Sequence, residues 1–212
     1  MSYSKLSGAI SFLFFLTLSS FLFGQSSYWG IRGGANFSKV GGTDLQTSMY
    51  VGYTGGAFAN FYINDRLSFQ HELSYSVRGL NSKLSNDEEY KVKLSYIDVP
   101  WMIQYNFSSA LFLQAGAQIS IYTYFQSPQD DSIPYNKYTA NALDFSFLLG
   151  AGVILSNNLI LGVRVNQSTS KTFSVSVDGG KMLNMQAYLA YAINRNTNRN
   201  LRTNYGGHGS GR

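Results

Sequence analysis

A chain of 212 residues suffices for one sizeable domain, and this one is 13% charged and 16% aromatic, with 21 glycines, no cysteine and a net charge of +5. So little charge argues against an ordinary water-facing globule, so many aromatics against a disordered chain. The missing cysteine excludes disulfides, thiolate metal sites, a cysteine nucleophile and an acylated lipoprotein cysteine.

The chain opens on Lys5 and an apolar run from Ala9 to Phe23, followed by Gly24 and Gln25. That is the form of a secretory signal peptide over residues 1–24. The run is too short, and too interrupted by serines and a threonine, for a good membrane anchor. No later run reaches about 18 apolar residues, so no transmembrane helix is expected and the mature chain is expected to be exported.

From there the sequence alternates with a period of two. The first expected strand, Tyr28 to Ser38, sets Trp29, Ile31, Ala35 and Phe37 against Gly30, Arg32, Gly34 and Asn36. A glycine-rich loop from Val40 to about Ser48 leads to a second strand, about Tyr50 to Tyr62. After a tight turn at Asn64-Asp65 the third strand, Leu67 to Val77, opposes Phe69, Leu73 and Tyr75 to Gln70, Glu72 and Ser74. A charged loop, Gly79 to about Tyr90, precedes the clearest strand, Ser95 to Phe107, with Ile97, Val99, Trp101 and Ile103 against Asp98, Pro100, Met102 and Gln104. Ser108-Ser109 turns the chain into Leu111 to Tyr124. A long polar loop with Pro128, Asp130, Asp131 and Pro134 follows, then Ala142 to Leu155, a turn at Asn157-Asn158, and Leu159 to Gln167. A last loop, Ser168 to Lys181, precedes Leu183 to Ile193.

Eight strands joined by alternating long and short connections are the pattern of an all-β, eight-stranded, antiparallel up-and-down transmembrane β-barrel, with short periplasmic turns and longer outer loops. The barrel is expected over residues 25–193, in the outer membrane of a Gram-negative bacterium, with both mature termini periplasmic and the strand edges closed because lipid cannot satisfy them. Charge placement separates this reading from a soluble sandwich or lipocalin. The charged residues of the strand centres, Arg32, Glu72, Asp98, Asp144 and Arg164, all share the polar parity, and the apolar parity carries only His71. A charge facing lipid at mid-depth costs about 2–4 kcal/mol, so this blank suits a lipid face. Tyr28, Trp29, Tyr50, Phe61, Tyr62, Tyr75, Tyr105, Phe107, Tyr122 and Tyr124 lie near strand ends, where interfacial aromatic girdles are expected.

Several stretches resemble the PorT-like outer-membrane β-barrel family of Bacteroidetes: Gly30-Ile31-Arg32-Gly33-Gly34-Ala35-Asn36-Phe37-Ser38, Glu72-Leu73-Ser74-Tyr75-Ser76-Val77-Arg78-Gly79, Tyr96-Ile97-Asp98-Val99-Pro100 and Leu149-Gly150-Ala151-Gly152. The resemblance covers nearly the whole mature chain to about Ile193. It implies an eight-stranded outer-membrane barrel, and the family's named member is tied to type IX secretion. The family usually ends close to its final strand. Here residues 194–212 continue as a basic, polar tail, expected to be disordered and solvated, or else to touch an acidic periplasmic partner or the wall.

The five strand-centre charges read first as a structural polar network in the lumen, because unpaired charges there are costly and pairing is the ordinary solution. The competing reading, a paired-carboxylate acid/base site at Glu72 and Asp98, needs substrate access that a narrow lumen denies. His71 is expected to face outward with Phe69 and Leu73 beside it, lacking the nucleophile and orienting carboxylate of a lipid hydrolase. Pro100 suggests a bulge or kink, and the glycine pairs at 33–34, 41–42 and 55–56 close strand approach. The acidic loop residues Asn86 to Glu89 and Asp130-Asp131 are either solvated or bridged by divalent cations. His208 has no metal-ligand companions, and no nucleophile elbow, phosphate loop or zinc spacing occurs. No catalytic residue, cofactor, metal or nucleic-acid partner is therefore expected. The expected partners are outer-membrane lipid and a secretion-machinery or periplasmic protein.

Overall fold

The computed structural model describes residues 27–41, 47–83, 89–126, 142–156, 158–169, 181–193 and 195. The expected leader, the loop acids other than Glu89, and the tail from 196 onward lie outside the described residues. Eight long strands form a closed antiparallel barrel: β1 (Ser27–Gly41), β2 (Tyr50–Tyr62), β3 (Leu67–Lys83), β4 (Glu89–Asn106), β5 (Leu111–Gln126), β6 (Leu143–Ile154), β7 (Leu159–Ser168) and β8 (Lys181–Ala192). Each pairs with its sequence neighbour, and β8 closes on β1. Among the described residues no helix is long and apolar enough to cross a membrane.

The register fixes the shape. A row that leaves β1 at Trp29 passes Ala59, His71, Trp101, Ala117, Phe147, Gln167 and Leu183, then returns to β1 at Lys39. It comes back ten residues further along the strand. For eight strands that stagger goes with a tilt of about 40° and an interior just wide enough for side chains to fill.

Three four-residue turns carry the short connections, and each uses one side-chain oxygen in the same way. Asn64 Oδ1 accepts from the Arg66 and Leu67 amides at 2.9 and 2.8 Å. Ser108 Oγ accepts from the Ala110 and Leu111 amides at 3.2 and 3.1 Å, and Ser156 Oγ from Leu159 at 3.2 Å. These side chains stand in for a backbone acceptor. Asn64→Ala removes two such bonds and is expected to lower the unfolding free energy by about 1–2 kcal/mol, whereas Asn64→Asp, which keeps the acceptor, changes it little. Urea unfolding of the refolded protein checks this; equal midpoints for the alanine variant and the wild type would contradict it. The start of β1 and the end of β8 meet at this rim, where the Ile193 amide donates to the Trp29 carbonyl.

Because nearly every cross-strand pair joins residues of like parity, one parity faces outward along the described wall. The large exposed apolar side chains are all odd-numbered, from Trp29 and Ile31 to Tyr191 and Ile193, with Phe147 and Leu149 the most open at 67% and 68%. Buried side chains are mainly polar. The molecule is greasy outside and polar inside.

Several expectations change. The loop placed from Gly79 to about Tyr90 is mostly strand: β3 and β4 continue as a paired ribbon to Lys83 and Glu89. Beside it Thr47–Ser48 pairs with Ser82 and Asn81. Pro100 makes no bulge; lacking an amide proton, it falls in a gap of the β3–β4 ladder that keeps its register. The register shift lies between Ser95 and Tyr96, where Thr123 is the extra residue of β5. Tyr28, Tyr62 and Tyr122 do not join an outer girdle, because their even parity turns them into the barrel. The Tyr124 side chain lies outside the described residues.

Candidate functional site

The candidate site is the lumen, which is built in layers. At the turn rim, Tyr28, Phe58, Phe112, Ile160, Tyr188 and Ala190 form a buried apolar cluster. The Tyr28 and Phe58 rings meet edge to face at 6.0 Å. Arg195, just beyond β8, lies 5.6 Å from the Tyr28 ring and covers the cluster from below. Glycines make room for these rings. Tyr188 is flanked in register by Gly34 on β1 and Gly162 on β7, and a Cβ at either would run into it.

Above this cluster sits a charged belt centred on Glu72, which is 1% exposed. Arg164 meets it in a two-pronged pair, Nη1 to Oε2 at 3.0 Å and Nη2 to Oε1 at 2.9 Å. Arg32 adds an ion pair at 2.9 Å from Nη1 to Oε2, without hydrogen-bond alignment, and turns Nη2 to Gln186 Oε1 at 2.9 Å. The Tyr188 ring lies against both guanidinium groups, 4.7 Å from Arg32 and 5.2 Å from Arg164. Gln70 donates to Glu72 at 2.6 Å, and Gln114 links Gln70, Gln104 and Arg164. A cavity between Arg32, Gln70, Gln114 and Tyr188 has room for about one water molecule.

A second charged group lies towards the long-loop rim. Asp98 pairs not with Arg32 or Arg164 but with Arg78, at 2.5 Å, and the Arg78 guanidinium lies 5.0 Å from the Tyr96 ring. Asp144 accepts from Ser168 Oγ. Arg78 was missed because the third strand was ended at Val77. The alternation Glu72, Ser74, Ser76, Arg78 carries on, and charge balance was a further signal. Arg32, Glu72, Asp98, Asp144 and Arg164 sum to −1, and Arg78 brings the buried arginines and carboxylates to three of each. Val40, Leu94, Tyr96 and Met182 close this end as a second apolar cluster, with Tyr122 against it.

Stacked this way, two apolar clusters and a charged belt close the cross-section at three levels, so the interior is not an open pore. His71 lies on the outward row but is only 8% exposed, because Trp101 stacks on it at 5.7 Å. Its registered neighbours are Ala59 and Trp101, neither of them a nucleophile or a carboxylate. Among the described residues no group of three or more His, Asp or Glu side chains is placed to hold a metal ion.

The family model for the outer membrane protein beta-barrel domain matches residues 23–174. No curated protein matches the sequence significantly. Solved structures similar to the chain include Neisserial surface protein A, at 16% identity over 79% of this chain and 97% of that one, with a TM-score of 0.49. The outer membrane protein OprG of Pseudomonas aeruginosa is 11% identical over 80% and 97%, with a TM-score of 0.47. Ail, the attachment invasion locus protein of Yersinia pestis, is 15% identical over 80% and 100%, with a TM-score of 0.45.

Proposed function

Since the chain belongs to the outer membrane protein β-barrel domain family, we propose that it is a non-enzymatic, structural or accessory barrel of the PorT-like kind, serving protein export by type IX secretion. The observation that carries this is the closed lumen: a barrel sealed by apolar clusters at both ends, with Glu72 held between two arginines, offers no conduit from one rim to the other. What remains available to partners is the wall, the rims and the segments beyond them. In this reading the short turns and both mature termini face the periplasm, which follows the usual asymmetry of such barrels. Residues 1–24 are the removed leader, and residues 194–212 form a basic periplasmic tail that meets a component of the export machinery.

The test is a clean deletion in the native host. Type IX cargo is expected to accumulate in the periplasm, and the restored gene to return it to the outside. Normal cargo export by the deletion strain would sink the secretion role and leave the barrel assignment untouched.

A second reading, a barrel that binds a surface or ligand through its extracellular loops, is favoured by the ribbon that β3 and β4 extend to the pair Lys83 and Glu89. Deleting residues 84–88 separates the two: loss of binding with intact secretion supports the surface role, and the reverse supports export.

A further inference from the structure

In the Glu72 belt the carboxylate and the glutamine amides are all partnered, and the atoms lacking a hydrogen bond are arginine nitrogens, Nε and Nη1 of Arg32 and Nε of Arg164. In the layer above it the unpartnered atoms are mostly oxygens. Asn166 and Asn184 face each other in register on β7 and β8, are 2% and 1% exposed, and none of their four amide atoms has a hydrogen-bond partner. Asn36 Oδ1, Thr54 Oγ1, Ser76 Oγ, Asp98 Oδ1 and Ser146 Oγ are buried and unpartnered as well. All seven residues have the inward parity. On a wall sheared by ten residues, each strand crossed along a row climbs about 3 Å. Followed through the register, these side chains come to one height within about 4 Å, above Glu72 and below Arg78.

Side-chain size makes this layer different from the one beneath. The belt is filled by two arginines, a glutamate, a tyrosine and several glutamines, whereas the upper layer is lined mostly by Ser, Thr, Asn and one Asp. An eight-strand interior is just filled when side chains are long, so short ones leave space at its centre. Buried polar atoms without partners are rare in native proteins and point to a bound water or ion. Here nine such atoms share one layer, and seven of them are oxygens.

Charge narrows the choice. The lower belt sets Arg32 and Arg164 against Glu72, an excess of one positive charge. The upper region sets Asp98 and Asp144 against Arg78, an excess of one negative charge. A layer of amide and hydroxyl oxygens beside one surplus negative charge is a donor set for a hard cation of low charge. We propose that the outer half of the lumen is a closed, hydrated binding site for one monovalent cation, held by Asp98 and the oxygens of Asn36, Ser146, Asn166 and Asn184, with the Asp144 carboxylate about 6 Å above Asp98, two strand crossings on, supplying the surplus charge.

The test refolds the full chain into lipid with sodium, potassium or N-methylglucamine chloride at equal ionic strength and follows thermal unfolding. Sodium or potassium is expected to raise the midpoint by about 5 °C or more and to do so saturably. Asp144→Asn, which keeps an acceptor for the Ser168 hydroxyl but removes the charge, is expected to abolish the difference. Equal wild-type midpoints in all three salts would overturn the proposal and leave water alone in the layer. Should Asp144→Asn fail to refold, Ser146→Ala takes its place. It removes one oxygen at constant charge and is expected to raise the half-saturating cation concentration about tenfold; an unchanged value overturns the proposal.

Discussion

Glu72→Ala lowers the unfolding free energy by about 3–5 kcal/mol, the cost of breaking a buried ion pair from one side. The size follows from what is left behind. Arg164 loses both prongs of its pair, Arg32 loses its ion pair with Glu72, and both remain enclosed against the Tyr188 ring. Burial leaves them little water in exchange, since the cavity beside Arg32 has room for about one molecule. The penalty therefore lies in the orphaned cations, and it should shrink when one is removed as well. Arg164→Met added to Glu72→Ala is expected to recover part of the loss, giving a favourable coupling between the two sites. Equilibrium unfolding in urea, with the protein refolded into lipid bilayers, measures both. A Glu72→Ala midpoint equal to wild type, or two substitutions whose effects simply add, would mean that the belt holds nothing together.

On the outer wall the largest effect is expected at Leu149, where Leu149→Arg costs about 2–4 kcal/mol. Leu149 is 68% exposed, lies near the middle of the wall's height by register, and has Ala115 and Val165 as cross-strand neighbours. No carboxylate stands beside it to receive the guanidinium. On a water-facing surface the same exchange would stay within about 0.5 kcal/mol, so the substitution reports what the wall faces. Unfolding in bilayers gives the number, and a change too small to resolve would contradict a lipid-facing wall.

Much of this architecture was legible because the repeat is short and the turns are even. Four-residue turns at residues 63–66 and 107–110, with ladders across the longer connections that also pair like parity, leave Trp29, Tyr75, Ile103 and Leu113 on one parity, so a period of two read along the chain also sorts inside from outside. The polar parity of Arg32, Glu72, Asp98, Asp144 and Arg164 could be read in the same way. Their partners could not. Which arginine reaches Glu72 depends on the stagger around the wall, a sum over eight registers that no single strand encodes. Aromatic placement failed for a related reason. Nearness to a strand end suggested a girdle for Tyr28 and Tyr62, whereas parity, the stronger constraint, turned them into the lumen. The end of the third strand was misjudged at Val77 because Gly79 resembles a loop residue. Its missing side chain is tolerated here since the ribbon continues on both sides of it.

The closing seam sets the order in which the molecule can form. β1 is made first and β8 last, and the twelve-rung ladder from Gly30 with Ala192 to Gly41 with Lys181 joins opposite ends of the polypeptide. Contacts so distant in sequence are slow to form, because the loop-closure entropy must be met before any rung is gained. Until that happens β1 and β8 each present a bare edge ready to pair with another chain. A nascent molecule must therefore be kept solitary until its last strand has paired, because the seam removes both edges at once.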